Sequence, residues 1–118
     1  MPVRSFSSPV LKWPDAESVR RAVKTWAEQT AQKHPEIVRI GLFGSYARGD
    51  WGVGSDIDLV IIVRQTDVPF IERARLLSVV DLPLSTDLLV YTQDEWQKML
   101  KEGRFAPRIE REAIWMYP

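Results

Sequence analysis

Cysteine is missing from all 118 residues. Its absence excludes disulfides, thiolate zinc sites and cysteine nucleophiles together, and it suits a reducing compartment. No excess of charge of either sign exists, since 16 Lys and Arg balance 16 Asp and Glu. No whole-molecule field therefore draws in nucleic acid or an anionic membrane, and any acidic ligand must be bound locally. The stretch from Met1 to Pro14 lacks a continuous apolar run and mixes Arg4 with scattered Ser and Pro, so it resembles neither a signal peptide nor an anchor. The expectation is a soluble, cytoplasmic protein without membrane contact and without direct nucleic-acid binding. The one histidine, His34, lies beside Pro35 at the end of a helical pattern, and reads as a C-terminal cap rather than a catalytic base.

What is present suffices for one core, because 45% of the residues are hydrophobic and the length is that of one domain. Residues 1–13, with Pro2, Pro9 and several serines, read as an extended arm whose Val10, Leu11 and Trp13 are expected to rest on the domain formed by 14–118. From Asp15 to Lys33 the apolar positions Val19, Ala22, Val23, Trp26, Ala27 and Thr30 recur at helical spacing and predict an amphipathic helix that Pro35 ends. Ile37 to Phe43 and Ile57 to Val63 are short runs rich in β-branched residues, which predict strands buried on both faces. PFIERARLLSVV, from Pro69 to Val80, sets Phe70, Ala74, Leu77 and Val80 on one side and predicts a second helix; DLLVY, from Asp87 to Tyr91, predicts a third strand. Thr92 and Glu95 have the spacing of a capping box, and Gly103 suits the far end of the helix that they begin. One helical turn over Ile109 to Glu112 and a closing edge strand, IWMY, complete the chain.

Asp56 and Asp58 flank Ile57 at the head of the second strand. Side-chain alternation places both carboxylates on one side, where like charges raise each other's pKa and destabilise the fold unless a cation or hydrogen-bond donors neutralise them. Oxygen ligands without Cys or His favour Mg²⁺ or Mn²⁺ over Zn²⁺. Asp87 heads the next strand in the same manner. If the two strands are neighbours, three acids can bridge two ions about 3.5–4 Å apart, as in phosphoryl or nucleotidyl transfer; the plainer alternative is that each acid caps a strand and faces water. Gly44 and Ser45 follow the first strand, with Ser45 expected to N-cap a short helix through Tyr46, Ala47 and Arg48 and free amides there aimed at a phosphate chain. Arg48 either adds charge to those phosphates or pairs with Asp50 at the surface. Trp51, in GDWGVG, either stacks on a base or covers the core, and the core is the preferred reading.

Ten residues separate Ser45 from Asp56, so the chain reads G-S, ten residues, then D-x-D. This resembles the GSx10DxD signature of the minimal nucleotidyltransferases of the DNA polymerase beta superfamily, matched by Gly44, Ser45, Asp56 and Asp58 within GSYARGD and SDIDLVI. The resemblance implies an α+β fold, a minimal palm with a small mixed β-sheet packed against helices. It implies Asp56 and Asp58 as ligands of Mg²⁺, Asp87 as the third catalytic carboxylate and metal ligand, two ions, and ATP as substrate, with Gly44, Ser45 and secondarily Arg48 on its phosphates. Larger relatives carry an added helical domain that holds the acceptor, for which the chain leaves no room. The resemblance therefore points to a protein acceptor, a HEPN-domain ribonuclease toxin held in a hetero-oligomer, with this chain as the antitoxin transferring AMP to a toxin tyrosine. Transfer to a small-molecule hydroxyl, and an antitoxin acting by occlusion alone, are the alternatives.

Overall fold

The computed structural model describes residues 13–118. Of the expected arm, Trp13 is therefore in view, while Val10 and Leu11 lie outside the described residues. Helix α1 runs Ala16–Lys33 and starts where the Asp15 carboxylate accepts a 2.8 Å hydrogen bond from the Ser18 amide, satisfying one of the amides that a helix start leaves open. It buries Val19, Val23, Trp26, Ala27, Thr30 and Ala31, whereas Ala22 lies at the margin, half-buried. His34 closes the helix through its backbone N–H, which donates to the Thr30 carbonyl at 3.0 Å.

Four strands follow: β1 Ile37–Phe43, β2 Ile57–Val63, β3 Thr86–Thr92 and β4 Ile114–Tyr117. They form one sheet in the order β3-β2-β1-β4. β1 is antiparallel to both β2 and β4, while β2 and β3 are parallel, so the sheet is mixed. β2 is covered on both faces. Ile57, Leu59, Ile61 and Val63 join the core beneath α1, and Val60 and Ile62 join a second core with Trp96, Ala106 and Ile109. Burial of each such aliphatic side chain contributes about 1.5–3 kcal/mol. The second core is roofed by α4, Gln93–Glu102, and α5, Phe105–Glu112, which starts well before the single turn expected at Ile109 because Ala106 also packs inward. Among the described residues no helix is long and apolar enough to cross a membrane.

A parallel pair requires a crossover connection, here residues 64–85. The helix expected from Pro69 to Val80 does not form as one piece. α3 covers only Phe70–Arg73, a 3-10 turn spans Ala74–Leu76, and Leu77 is already extended at φ −117°. Val80, assigned to a buried side by spacing, is 83% exposed. The reason is Arg73, which turns inward and donates to the Val68 carbonyl at 2.8 Å, the Val90 carbonyl at 3.1 Å and the Glu95 carboxylate at 2.6 and 3.1 Å. Glu95 is also the reciprocal partner in the Thr92 capping box at the start of α4. One carboxylate thus ties α3, β3 and α4 together.

A second tie joins α4 and α5 to β1. Glu110 accepts from Arg39 at 2.7 Å and from the Trp96 indole at 2.7 Å, while the Arg39 guanidinium lies 3.5 Å from the centroid of the Trp115 ring, a cation–π contact. The Trp115 ring occupies the space where a Cβ on Gly41 would sit, at 2.8 Å.

Candidate active site

β1, β2 and β3 bring the predicted residues to one end of the sheet. Phe43 is paired with Asp58 across β1 and β2, and Asp58 with Asp87 across β2 and β3. Asp56 stands immediately before β2. The chain leaves β1 through Gly44, whose φ of 76° lies where glycine has no steric penalty and other residues do. A Cβ at Gly44 would also strike the Asp58 carboxylate. Both requirements fall on one residue, which fixes the turn's backbone hard against the half-buried Asp58.

α2, Ser45–Arg48, begins at that turn. Gly44, not Ser45, occupies the cap position, and no side chain makes a capping bond. The expected Ser45 cap fails because the backbone turns at a positive φ, which selects glycine for the cap and moves serine to the first helical position. The first intrahelical bond is from the Ala47 N–H to the Gly44 carbonyl at 3.0 Å, so the amides of Ser45 and Tyr46 precede the ladder.

The other end of α2 is fastened from below. Arg20 of α1 donates to the Tyr46 carbonyl at 2.9 Å and the Ala47 carbonyl at 3.3 Å. Tyr46 is fully buried; its hydroxyl accepts from the Trp13 indole at 2.8 Å and donates to the Pro14 carbonyl at 3.3 Å, and its ring stacks on Trp51 at 5.5 Å. Trp51 is thus placed on the core side, as its sequence context suggested. Arg20 and Tyr46 are positioning residues that motif reading passed over, while Trp13, expected from the sequence to rest on the domain, does so at Tyr46. The only sequence signal for Arg20 was its place at the edge of the α1 apolar stripe, directly after Val19.

The electrostatics centre on Asp58. Burial raises its pKa, and the Asp87 and Asp56 charges raise it further, while Arg48 opposes them. Arg48 itself pairs with Asp50 at 3.1 Å and with Glu112 at 3.2 Å, so its charge reaches the site from an ion-paired position. Among the described residues no three acidic or histidine side chains converge closely enough to form a ready-made metal cluster. The donor chemistry nevertheless fits a hard divalent cation: Asp56, Asp58 and Asp87 supply oxygen alone, Asp56 and Asp87 are exposed and free to turn, and the like-charge crowding at Asp58 is what a cation relieves.

A family model described as a nucleotidyltransferase domain matches residues 23–115. The chain belongs to that family. A comparison with curated proteins finds no match. Among solved structures, a Sulfolobus solfataricus protein described as a candidate nucleotidyltransferase superposes with a TM-score of 0.60 at 20% identity, over 88% of this chain and 87% of that one. A toxin–antitoxin structure with AMP-PNP superposes with a TM-score of 0.53 at 21% identity, over 80% of this chain and 72% of that one. Both share the nucleotidyltransferase fold, and the mixed sheet with helices on both faces is that of the family. In this nucleotidyltransferase the glycine turn and the paired aspartates meet at the ends of three neighbouring strands.

Proposed function

We propose that this nucleotidyltransferase is the antitoxin of a HEPN/MNT pair and transfers AMP from ATP to a tyrosine of the HEPN ribonuclease toxin, with Mg²⁺ as its cation. The observation that carries the chemistry is the register of Asp58 opposite Asp87, which crowds carboxylates beside a glycine turn built to approach them. The likeness to a toxin–antitoxin structure with AMP-PNP supports a protein partner and a nucleotide. So does the openness of the site, for Asp56 and Asp87 are exposed and β3 is an edge strand, leaving room for a side chain of another molecule.

Asp56, Asp58 and Asp87 would hold the cation, which neutralises phosphate charge and polarises the reacting phosphate. Gly44 lets the backbone approach the triphosphate, and the Ser45 hydroxyl with the amides of Ser45 and Tyr46 donates to its β and γ phosphates. Arg20 holds α2 so that these donors do not drift. The tyrosyl oxygen attacks the α-phosphorus in line, its proton passes to Asp87, and the bond to the bridging oxygen breaks as pyrophosphate leaves.

The test is incubation of the toxin with this protein, ATP and Mg²⁺, followed by intact-mass measurement. The toxin is expected to gain one AMP unit per modified tyrosine, and its ribonuclease activity is expected to fall with the mass change. An Asp56→Asn, Asp58→Asn double variant is expected to bind the toxin and leave its mass unchanged. Full protection of cells by that variant at matched expression would replace transfer with occlusion.

A further inference from the structure

α5 carries Arg104, Arg108 and Arg111 at its start and along its exposed side. Steps of four and three residues bring them to one face, over a span of about 10 Å. With Gly103, Phe105 and Pro107 they line an open cleft of about 610 Å³. The fold gains little from Arg104 and Arg108. Arg104 is the N-cap residue and the first turn of α5 holds no acid, so these two cations crowd the end of a helix that favours anions, whereas Arg111 sits in the last turn, where a cation suits the helix dipole. Among the described residues Arg104 and Arg111 pair with no carboxylate, and Arg108 meets Glu112 only at 3.9 Å while that carboxylate holds Arg48 at 3.2 Å. Residues 1–12 contain no Asp or Glu that could supply one.

The helix that carries the cleft is tied to the candidate active site at two points. Phe105 packs edge-on against Phe43 at 5.9 Å, and Phe43 both precedes Gly44 and pairs with Asp58. Glu112, at the end of the same helix, grips Arg48 of α2. We infer that the Arg104, Arg108 and Arg111 face docks an acidic segment of the acceptor protein, next to the tyrosine that receives the nucleotide. This rests on the reading of a protein acceptor given above. A protein segment fits better than a nucleic acid. The chain has a formal net charge of +0 and so no long-range field for a polyanion, the arginine span suits a few carboxylates, and the Phe105 ring is engaged by Phe43 rather than offered to a base.

The test uses short fluorescent peptides with a central tyrosine flanked by glutamates or by glutamines, and a single-stranded RNA of similar length, titrated by anisotropy without ATP or Mg²⁺. The glutamate peptide is expected to bind about tenfold more tightly than the glutamine peptide. That preference should vanish in an Arg104→Gln, Arg108→Gln, Arg111→Gln variant and persist when the same charge is removed elsewhere by Arg21→Gln, Lys33→Gln, Arg75→Gln. The single changes Arg104→Gln and Arg111→Gln, which break no ion pair, should each weaken it in part and serve if the triple variant melts early. A preference that survives in the folded variants overturns the proposal, as does RNA binding that exceeds peptide binding and depends on the same arginines. The titration needs no catalysis. Peptide docking without any transfer would therefore sink the acceptor reading and leave the docking face standing, whereas toxin modified equally well by the triple variant would do the reverse.

Discussion

Asp58 and Asp87 face each other directly across the parallel strands β2 and β3, and burial together with Asp87 and Asp56 holds the Asp58 carboxyl above its ordinary pKa. Folding then takes up protons between the unfolded and folded values, and ionised Asp58 costs stability above that window. Asp58→Asn should therefore abolish transfer while leaving the metal-free melting temperature equal or up to a few degrees higher. Scanning calorimetry at neutral pH checks this. A large fall in melting temperature would mark Asp58 as a structural strand cap instead.

Divalent cation should reverse the same penalty. At Mg²⁺ or Mn²⁺ ten times above its dissociation constant, mass action adds about 1.4 kcal/mol to the folded state, and the Asp56→Asn, Asp58→Asn variant should show no such gain. Thermal shift across a metal titration reads both. Equal shifts in the two proteins would place the cation elsewhere.

Gly44 and Ser45 should separate cleanly. Gly44→Ala imposes a Cβ on a φ of 76° and drives it into Asp58, so it should lower stability by about 1–3 kcal/mol and lose ATP binding. Ser45→Ala removes a hydroxyl that caps nothing and should weaken ATP binding modestly at unchanged stability. Titration calorimetry beside thermal melts distinguishes the two; matched losses in both variants would contradict the assigned geometry.

Arg73 gives a stability prediction away from the site. Hydrogen bonds from Arg73 chiefly, aided by the Thr92 amide, hold the Glu95 carboxyl below its usual pKa. The folded value lies below the unfolded one, so this contribution is present above the unfolded pKa and is lost as pH falls through the folded pKa. Glu95→Gln should lower stability at pH 7 and flatten its decline with acid. Arg73→Ala should cost about 2–3 kcal/mol, since it strips the Val68 and Val90 carbonyls as well. Urea melts at several pH values test both.

How much was legible follows from where the information sits. β1 and β2 end where their apolar runs end, and Thr92 with Glu95 announces α4, because each signal is local. β3 extends one residue beyond DLLVY at either end, to Thr86 and Thr92. The G-S and D-x-D pieces were readable as one unit from their spacing. The crossover was not, because two partners of Arg73, Val90 and Glu95, lie far along the chain, and helical periodicity cannot register an arginine that prefers a neighbouring strand. Ser45 was misplaced as a cap for a related reason, since the choice between adjacent cap residues depends on a backbone angle that the path out of β1 imposes. The Arg39, Glu110, Trp96 and Trp115 assembly left no linear trace at all.

That distribution of indoles equips the sheet with an optical gauge on each side. Trp26 lies in the core beneath α1, with its N–H donated to the Ser78 carbonyl at 2.8 Å, and Trp96 lies in the opposite core on Glu110. Replacing the other tryptophans leaves either gauge alone, so the emission of one layer can be followed without the other. Coincident midpoints would show that the two faces of β2 come apart in a single event; separated midpoints would show that one roof lifts first and would identify which.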